Sequence, residues 1–306
     1  MPPATPDDAR LPLTVEQLWT YPVKSCAGVR LSSVELLETG LEWDRTWMVV
    51  DESGEFVTQR ELPRMALIRP RFRLGQLELR APGMLSLHLA LDQAEAPRRV
   101  RVWDDEVDAY DMGDVAAQWF TDFLGHPMGS GVQGRLRLVR FDPDVGRLSA
   151  VAWTGGAEAP NQFSDGFPLL VLAQASLDDL NRRLGLLGHG PVGVERFRPN
   201  VVLGGLQAHD EDRLAEICLR ARVPGGDATA PEVRLRPVKP CSRCTIPDVD
   251  PDTADTRMAV GEALQAYRQD RRLMGAVTFG MNAIVLQGDG QMLHEGMAGE
   301  GVWGVW

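Results

Sequence analysis

The chain has 306 residues, 44% of them hydrophobic and 25% charged, with a net charge of -11; this is the profile of a globular protein able to bury one large core or two small ones. The acidic balance argues against nucleic-acid binding, which demands a basic face, and no apolar run approaches the roughly 18 residues of a membrane span. Met1 to Arg10 carries no apolar signal-peptide core and four cysteines do not make a disulfide framework, so the cytoplasm is the expected location.

Residues 1–11 read as a disordered tail. Leu13, Val15 and Leu18 alternate and predict a strand ending at Tyr21-Pro22. Val23 to Gly28 is a turn, and Val29, Leu31, Val34 and Leu36 resume the β pattern. Trp47 to Val50 and Phe56 to Thr58, joined across Asp51 to Gly54, predict a hairpin. Leu77 and Leu79, the turn at Ala81 to Gly83, and the run Leu85, Leu87, Leu89, Leu91 predict a second. Val100 and Val102 open a further strand. Asp114 is placed to cap a helix whose Val115, Trp119, Phe120 and Phe123 share a face and which Gly125 ends. Residues 127–134 are a Gly-rich loop or domain seam, Leu136 and Val139 mark a strand, and 142–163 look irregular. Phe167 to Leu172 is a short buried strand, followed by a helix with a capping-box pattern at Ser176 that ends near Gly185. Strands are predicted at Val201 to Leu203, around Ile217 to Ala221, at Val233 to Leu235 and at Val277 to Leu286. Ala259 to Leu273 reads as an amphipathic helix. Many short strands and few helices give a β-rich α+β chain with barrel-like sheets.

The chemistry gathers at Arg236 to Asp252, which contains Cys241-Ser242-Arg243-Cys244 and an acidic loop fenced by prolines. Of the 32 basic residues only Lys24 and Lys239 are lysines. Each follows Pro-Val and precedes a cysteine, as if both places need a compact ammonium that a guanidinium cannot replace. A structural zinc site needs a second ligand pair, and the five histidines are scattered. A thioredoxin-like pair needs a helix start, which Pro240, Pro247 and Pro251 prevent. The acidic run at Asp248, Asp250 and Asp252 fails as a calcium loop, because Thr253 stands where Gly is needed and Ala259 where the bidentate Glu belongs. Two cysteines packed in a loop remain one reading. The other is a single thiolate on a metal that a cofactor largely holds. Lys24, Ser25, Arg45, Arg196, Arg198 and Asn200 are candidates to hold the organic part, and Ser176 could present helix N–H groups to a phosphate. Ordinary roles compete: Arg45 could pair with Glu42 or Asp44, Arg198 with Glu195, and Ser176 could be a simple cap.

Taken together, Tyr21-Pro22-Val23-Lys24-Ser25, Trp43-Asp44-Arg45-Thr46-Trp47, Thr58-Gln59-Arg60, Val102-Trp103-Asp104, Phe167-Pro168-Leu169-Leu170, Ala175-Ser176-Leu177, Arg196-Phe197-Arg198-Pro199-Asn200, Cys241-Ser242-Arg243-Cys244 with Val249-Asp250-Pro251, and Phe279-Gly280-Met281-Asn282 resemble the MOSC-domain proteins that carry a MOSC N-terminal β-barrel region. Within them the resemblance is to amidoxime-reducing and hydroxylaminopurine-reducing molybdoenzymes. It implies an N-terminal β region over 12–125 and a MOSC domain over 126–306, with strands from 12–45 completing the C-terminal barrel. It implies a molybdenum cofactor (Mo-molybdopterin) with Cys244 as metal ligand and catalytic residue. Lys24, Ser25, Arg45, Ser176, Arg198, Asn200, Arg243 and Asn282 then match positions around the pterin and its phosphate. The implied activity is reduction of small N-hydroxylated substrates such as amidoximes, hydroxylamines and hydroxylaminopurines. The four-cysteine [2Fe–2S] domain of some bacterial relatives is not in the sequence, so a separate flavin, haem or Fe–S protein is the expected electron donor. Met292 to Trp306 follows the family's closing strand poorly, and Met112 stands where relatives can have a cysteine and reads as core filling. A sulfur carrier or cofactor-handling protein without turnover is the alternative.

Overall fold

The computed structural model describes residues 10–93, 95–125, 130–132, 134–220 and 232–304. Most of the expected N-terminal tail and part of the Gly-rich stretch at 127–134 lie outside the described residues. The elements in chain order are β1 (Arg10–Thr20), β2 (Val29–Leu31), β3 (Ser33–Leu37), β4 (Gly40–Leu41), β5 (Trp47–Val50), β6 (Arg69–Arg73), β7 (Gln76–Arg80), β8 (Leu87–Ala90), β9 (Pro97–Val102) and β10 (Asp105–Asp111). The helix α1 (Gly113–Leu124) follows, then β11 (Arg137–Phe141), the single turn α2 (Val151–Thr154), β12 (Leu169–Ala173), α3 (Gln174–Leu186), β13 (Val201–Gly204), β14 (Leu214–Arg220) and β15 (Glu232–Ser242). The chain continues through α4 (Ala259–Gln265), β16 (Gln269–Asp270), β17 (Ala276–Gln287), β18 (Gln291–His294) and β19 (Ala298–Trp303).

Seven strands close into a barrel in the order β12-β13-β1-β19-β14-β15-β17, with β17 pairing back to β12. Closure removes the exposed edges that an open sheet would present. The period-two alternation along β1 turns Leu13, Val15 and Leu18 inward, where they meet Val171, Leu203, Ile217, Leu235 and Ala283 in the barrel core. A second core lies under the sheet β5-β11-β10-β9 and the meander β6-β7-β8, where Trp47, Met65, Leu77 and Leu138 pack on the apolar face of α1. Met112 belongs to that core and is 2% exposed. The first strand of the chain is therefore a wall of the barrel between β13 and β19, and the loop that leaves it runs along the second core.

Four local expectations are corrected. Phe56 to Thr58 does return beside β5, through the Val50–Phe56 bridge and a bond from Val57 N to Val49 O at 3.0 Å, but it forms no strand, and β5, buried along its whole length, takes β11 as its ladder partner. Asp114 does not cap α1: it lies in the first turn, behind Met112 and Gly113, and its carboxylate accepts from Arg135 and Arg137. The helix expected over Ala259 to Leu273 ends at Gln265, because Gln269 and Asp270 leave to pair with Val277 and Ala276. The stretch after Met292 does supply a closing strand, β19, between β1 and β14.

Leu235 is 0% exposed in the barrel core and Leu74 is 91% exposed. Leu235→Ala is expected to lower the unfolding free energy by about 2–5 kcal/mol. Leu74→Ala should stay within about 0.5 kcal/mol. Urea unfolding followed by tryptophan fluorescence measures both.

Candidate functional site

A row of residues crosses four barrel strands. Asn200 stands just ahead of β13. Its side-chain Oδ1 accepts from the Leu170 amide at 3.0 Å and its own amide donates to Leu170 O at 2.8 Å. Leu170 on β12 is in register with Asn282 on β17, which is in register with Lys239 on β15. All four line one cavity of about 390 Å³. The register of β15 shifts between Pro237 and Lys239 and again between Pro240 and Ser242. Such bulges re-aim side chains, and they deliver Lys239, Cys241 and Cys244 to the cavity wall.

The opposite wall comes from two loops laid side by side. Lys24 N donates to Trp47 O, Arg45 N to Tyr21 O and Trp47 N to Pro22 O, all at 2.8–2.9 Å. Ser25, Arg45 and Arg198 have φ of 65°, 50° and 59°, in the left-handed region that non-glycine residues rarely occupy. Such conformations persist where surrounding structure over-determines them, and they cluster at functional sites. Here the Gln59 amide holds Ser25 O at 2.7 Å, and Arg45 Nη2 holds Arg198 O at 3.0 Å.

The lining carries six cations, Lys24, Arg45, Arg60, Arg198, Lys239 and Arg243, against one carboxylate, Asp165. In a chain of net charge -11 this is a concentrated positive field. Arg45 pairs with Asp44 at 2.5 Å and also reaches Asn200 Oδ1 at 3.2 Å. Arg198 does not pair with Glu195: its Nη1 donates to Cys26 O at 2.5 Å, and its buried Nη2 has no acceptor. Burial and the neighbouring Arg45 charge lower its guanidinium to about 10. Arg243 donates from Nη2 to Phe197 O and from Nη1 to Cys241 Sγ, each at 3.0 Å, while its Nε is buried without an acceptor. Lys24 donates to Phe163 O at 2.7 Å and to Asp165 at 2.6 Å; burial lowers its pKa against the pull of that carboxylate.

The four cysteines divide cleanly. Cys26 and Cys218 are buried, and burial pushes their thiols up to about 12 and about 11. Cys244 is exposed and Cys241 half-buried at the cavity. Two carboxylates of the acidic loop behind Cys244 accept from backbone amides. Asp248 accepts from the amides of Val260 and Gly261, and Asp250 from those of Asp252 and Thr253. Arg196 ties this loop down through Pro247 O, Val249 O and Asp250; it buttresses the cysteine loop rather than lining the cavity.

The chain matches the model of the MOSC N-terminal beta barrel domain over residues 12–127 and that of the MOSC domain over residues 158–297. It is 36% identical over 276 residues to mitochondrial amidoxime-reducing component 1 of Homo sapiens, covering 86% of this chain and 75% of that protein. The chain belongs to the MOSC family. Among its relatives, amidoxime-reducing component 1 of Mus musculus is 37% identical over 264 residues, covering 83% of this chain and 71% of that protein. Component 2 of Rattus norvegicus is 34% identical over 266 residues, covering 83% and 72%.

This MOSC chain brings Lys24, Ser25, Arg45, Arg198, Asn200, Arg243, Cys244 and Asn282 to one cavity. Ser176 is not brought there, and its assignment is corrected. It lies inside the first turn of α3, whose cap position is Ala173. Its hydroxyl donates to Glu211 Oε2 at 2.8 Å and accepts from the His209 amide at 2.8 Å, so the side chain is engaged inside the fold and is not among the residues that line the cavity. Residues of the lining without a sequence-derived role are Thr58, Arg60, Trp103, Asp165 and Phe167. Thr58, Arg60, Trp103 and Phe167 stand in short family-like stretches, which mark a place but no chemistry, and Asp165 lies outside every such stretch. Lys239 had a stronger signal, the rarity of lysine.

Glu211 is 0% exposed, and burial together with the Asp212 charge raises its carboxyl from 4.5 to about 7. A raised carboxyl favours the protonated native state, so its stabilising effect is full below the unfolded value and is lost as pH rises through the folded one. The stability of wild type relative to Glu211→Gln should fall between about pH 4.5 and pH 7 and level off above. Urea titrations across that range check this; a flat difference would contradict it.

Proposed function

We propose that this protein is a molybdenum-cofactor-dependent reductase of N-hydroxylated compounds, amidoximes, hydroxylamines and hydroxylaminopurines among them, supplied with electrons by a separate flavin, haem or iron–sulfur protein. The observation that carries this reading is the meeting, in one cavity, of an exposed thiol and a surplus of cations with unfilled donors. The names of the relatives, amidoxime-reducing components, support the substrate class.

The residues fit the cofactor. Among the described residues, no group of three or more His, Cys, Asp or Glu side chains is placed to hold a metal ion. A metal at Cys244 therefore takes its other ligands from an organic partner. A thiolate is a soft ligand suited to that task. The buried, unfilled Arg198 Nη2 and Arg243 Nε are charge-assisted donors suited to a phosphate, and Arg45, Asn200, Ser25 and Asn282 complete the cradle. When bound, the molybdenum cofactor supplies the two-electron chemistry. The protein supplies position, charge and protons. Reducing N–OH to N–H consumes protons and releases water, and the Lys24 ammonium has three N–H donors, of which the contacts to Phe163 O and Asp165 use two. Among the described residues no protein oxygen takes the third, and Lys24 lines the cavity. Cys244 is exposed, which leaves an approach for an electron donor. We also place the protein in the cytoplasm, from the sequence; cell fractionation tests that.

Protein made in a host that synthesises the cofactor, and given a chemical reductant, should convert benzamidoxime to benzamidine. Cys244→Ala should lose on the order of 100-fold or more, whereas Cys26→Ala should keep the activity, since that thiol is buried away from the cavity. Equal turnover by Cys244→Ala and wild type would sink the assignment. A folded wild type that holds the cofactor without turnover would favour the cofactor-handling alternative.

A further inference from the structure

Among the described residues, five of the six cations that line the cavity have oxygen acceptors on the protein, and Lys239 is the exception. Lys24 has Phe163 O and Asp165, Arg45 has Asp44, Arg60 has Thr58, Arg198 has Cys26 O and Arg243 has Phe197 O. Among the described residues, the Lys239 ammonium meets only ring faces, Trp153 at 5.2 Å and Phe167 at 5.9 Å from the ring centres. Cation–π contacts at this range fix an ammonium in place without neutralising it or filling its donors.

Its position is equally specific. Lys239 sits beside Asn282 in the β15–β17 ladder and precedes Cys241 and Cys244 on the strand and loop that form the reactive wall. The guanidinium groups with unfilled donors, Arg198 and Arg243, belong to the part of the cavity assigned above to the cofactor's phosphate. Lys239 instead faces the cavity alongside the buried ring of Phe167. An uncompensated charge next to an aromatic surface is what a planar, anion-bearing small molecule fits. The chain uses arginine at 30 of its 32 basic positions and keeps lysine only at 24 and 239; both face this cavity. A compact ammonium can bind a single anionic group at close range without the span of a planar fork.

We propose that Lys239, held against Trp153 and Phe167, is the substrate-recognition group of this site and selects N-hydroxylated compounds that carry an anionic group. This rests on the reductase reading above and adds the substrate's charge to it.

The test compares neutral benzamidoxime with para-carboxybenzamidoxime as substrates of wild type, Lys239→Met and Lys239→Arg, with molybdenum content measured on each preparation. The carboxylate compound should have the lower KM in wild type. Lys239→Met should raise that KM about tenfold, the scale of one lost charge-assisted contact, and leave the KM for benzamidoxime and the molybdenum content unchanged. Lys239→Arg, which keeps the charge but puts a planar fork in place of the compact ammonium, should retain only part of the preference, with a KM for the carboxylate between those of wild type and Lys239→Met. A parallel rise for both substrates would overturn the proposal, as would loss of molybdenum in Lys239→Met, which would place Lys239 on the cofactor. If wild type holds no molybdenum and turns over neither compound, the reductase reading fails on its own. Calorimetric titration with para-carboxybenzamidoxime then decides for Lys239: weaker binding to Lys239→Met supports the recognition role, and equal binding refutes it.

Discussion

Two guanidinium groups and one carboxylate held together at the edge of the barrel set the terms for everything around them. Arg45 and Arg198 both lie over the ring of Tyr21, at 4.4 and 4.3 Å, and Asp44 compensates only one of them. Asp44 is itself fully engaged, accepting from the Tyr21 amide at 2.8 Å and from Arg45. A half-buried guanidinium that faces a carbonyl and no carboxylate is incompletely compensated, at a cost, and burial and the Arg45 charge together draw the Arg198 pKa down. Left-handed backbone at Ser25, Arg45 and Arg198 adds of order 1–3 kcal/mol at each position. An anion in the cavity offsets the charge part of that cost, and the rest is met by the packing of the two cores. The site is thus preorganised for a negative group before one arrives.

The topology explains how residues so far apart in sequence share one cavity. β1 is built into the barrel wall beside β13, so the loop that follows it emerges next to the Arg198–Asn200 turn. Asn200 Nδ2 donates to Trp19 O at 3.2 Å, and this side chain alone joins β1, β12 and Arg45. The N-terminal segment up to Trp47 then runs along the second core, where Trp47 is 0% exposed. That core is the anvil against which Lys24 and Arg45 are positioned. Across the cavity the loop after β15 is braced internally by Asp248, Asp250 and Arg196, and externally by an Arg69–Asp252 ion pair at 2.6 Å. Reactive groups on both walls are therefore set by strands and buried cores.

Much of this was legible in the residues. Period-two patterns mark β1 and the β7–β8 hairpin, where the signal is the alternation itself, whereas β17 reads as a strand from its apolar run and is buried on both faces over Thr278 to Met281. The motif stretches led to eight cavity residues because each carries a chemical group in a distinctive local setting. Failures came where tertiary partners override local rules. Ser176 begins a pattern that reads as a capping box, yet a buried carboxylate on a distant turn, Glu211, claims its hydroxyl. Asp114 looks like a cap, yet Arg135 and Arg137, before and at the start of β11, draw its carboxylate away. The helix after Ala259 stops early because β17 offers Gln269 and Asp270 a strand partner. Lys239 was visible through composition alone, and that no described residue gives it an oxygen acceptor could only be seen once its neighbours were in place.

The most direct measurement is molybdenum quantification with X-ray absorption at the Mo edge, on wild type and Cys244→Ser made in a cofactor-competent host. A near-stoichiometric metal content in wild type, with one sulfur ligand fewer in Cys244→Ser, is the result predicted by a cationic cavity that holds the cofactor and a thiolate that completes its metal. Wild-type protein free of molybdenum, or an unchanged sulfur count in Cys244→Ser, would contradict it.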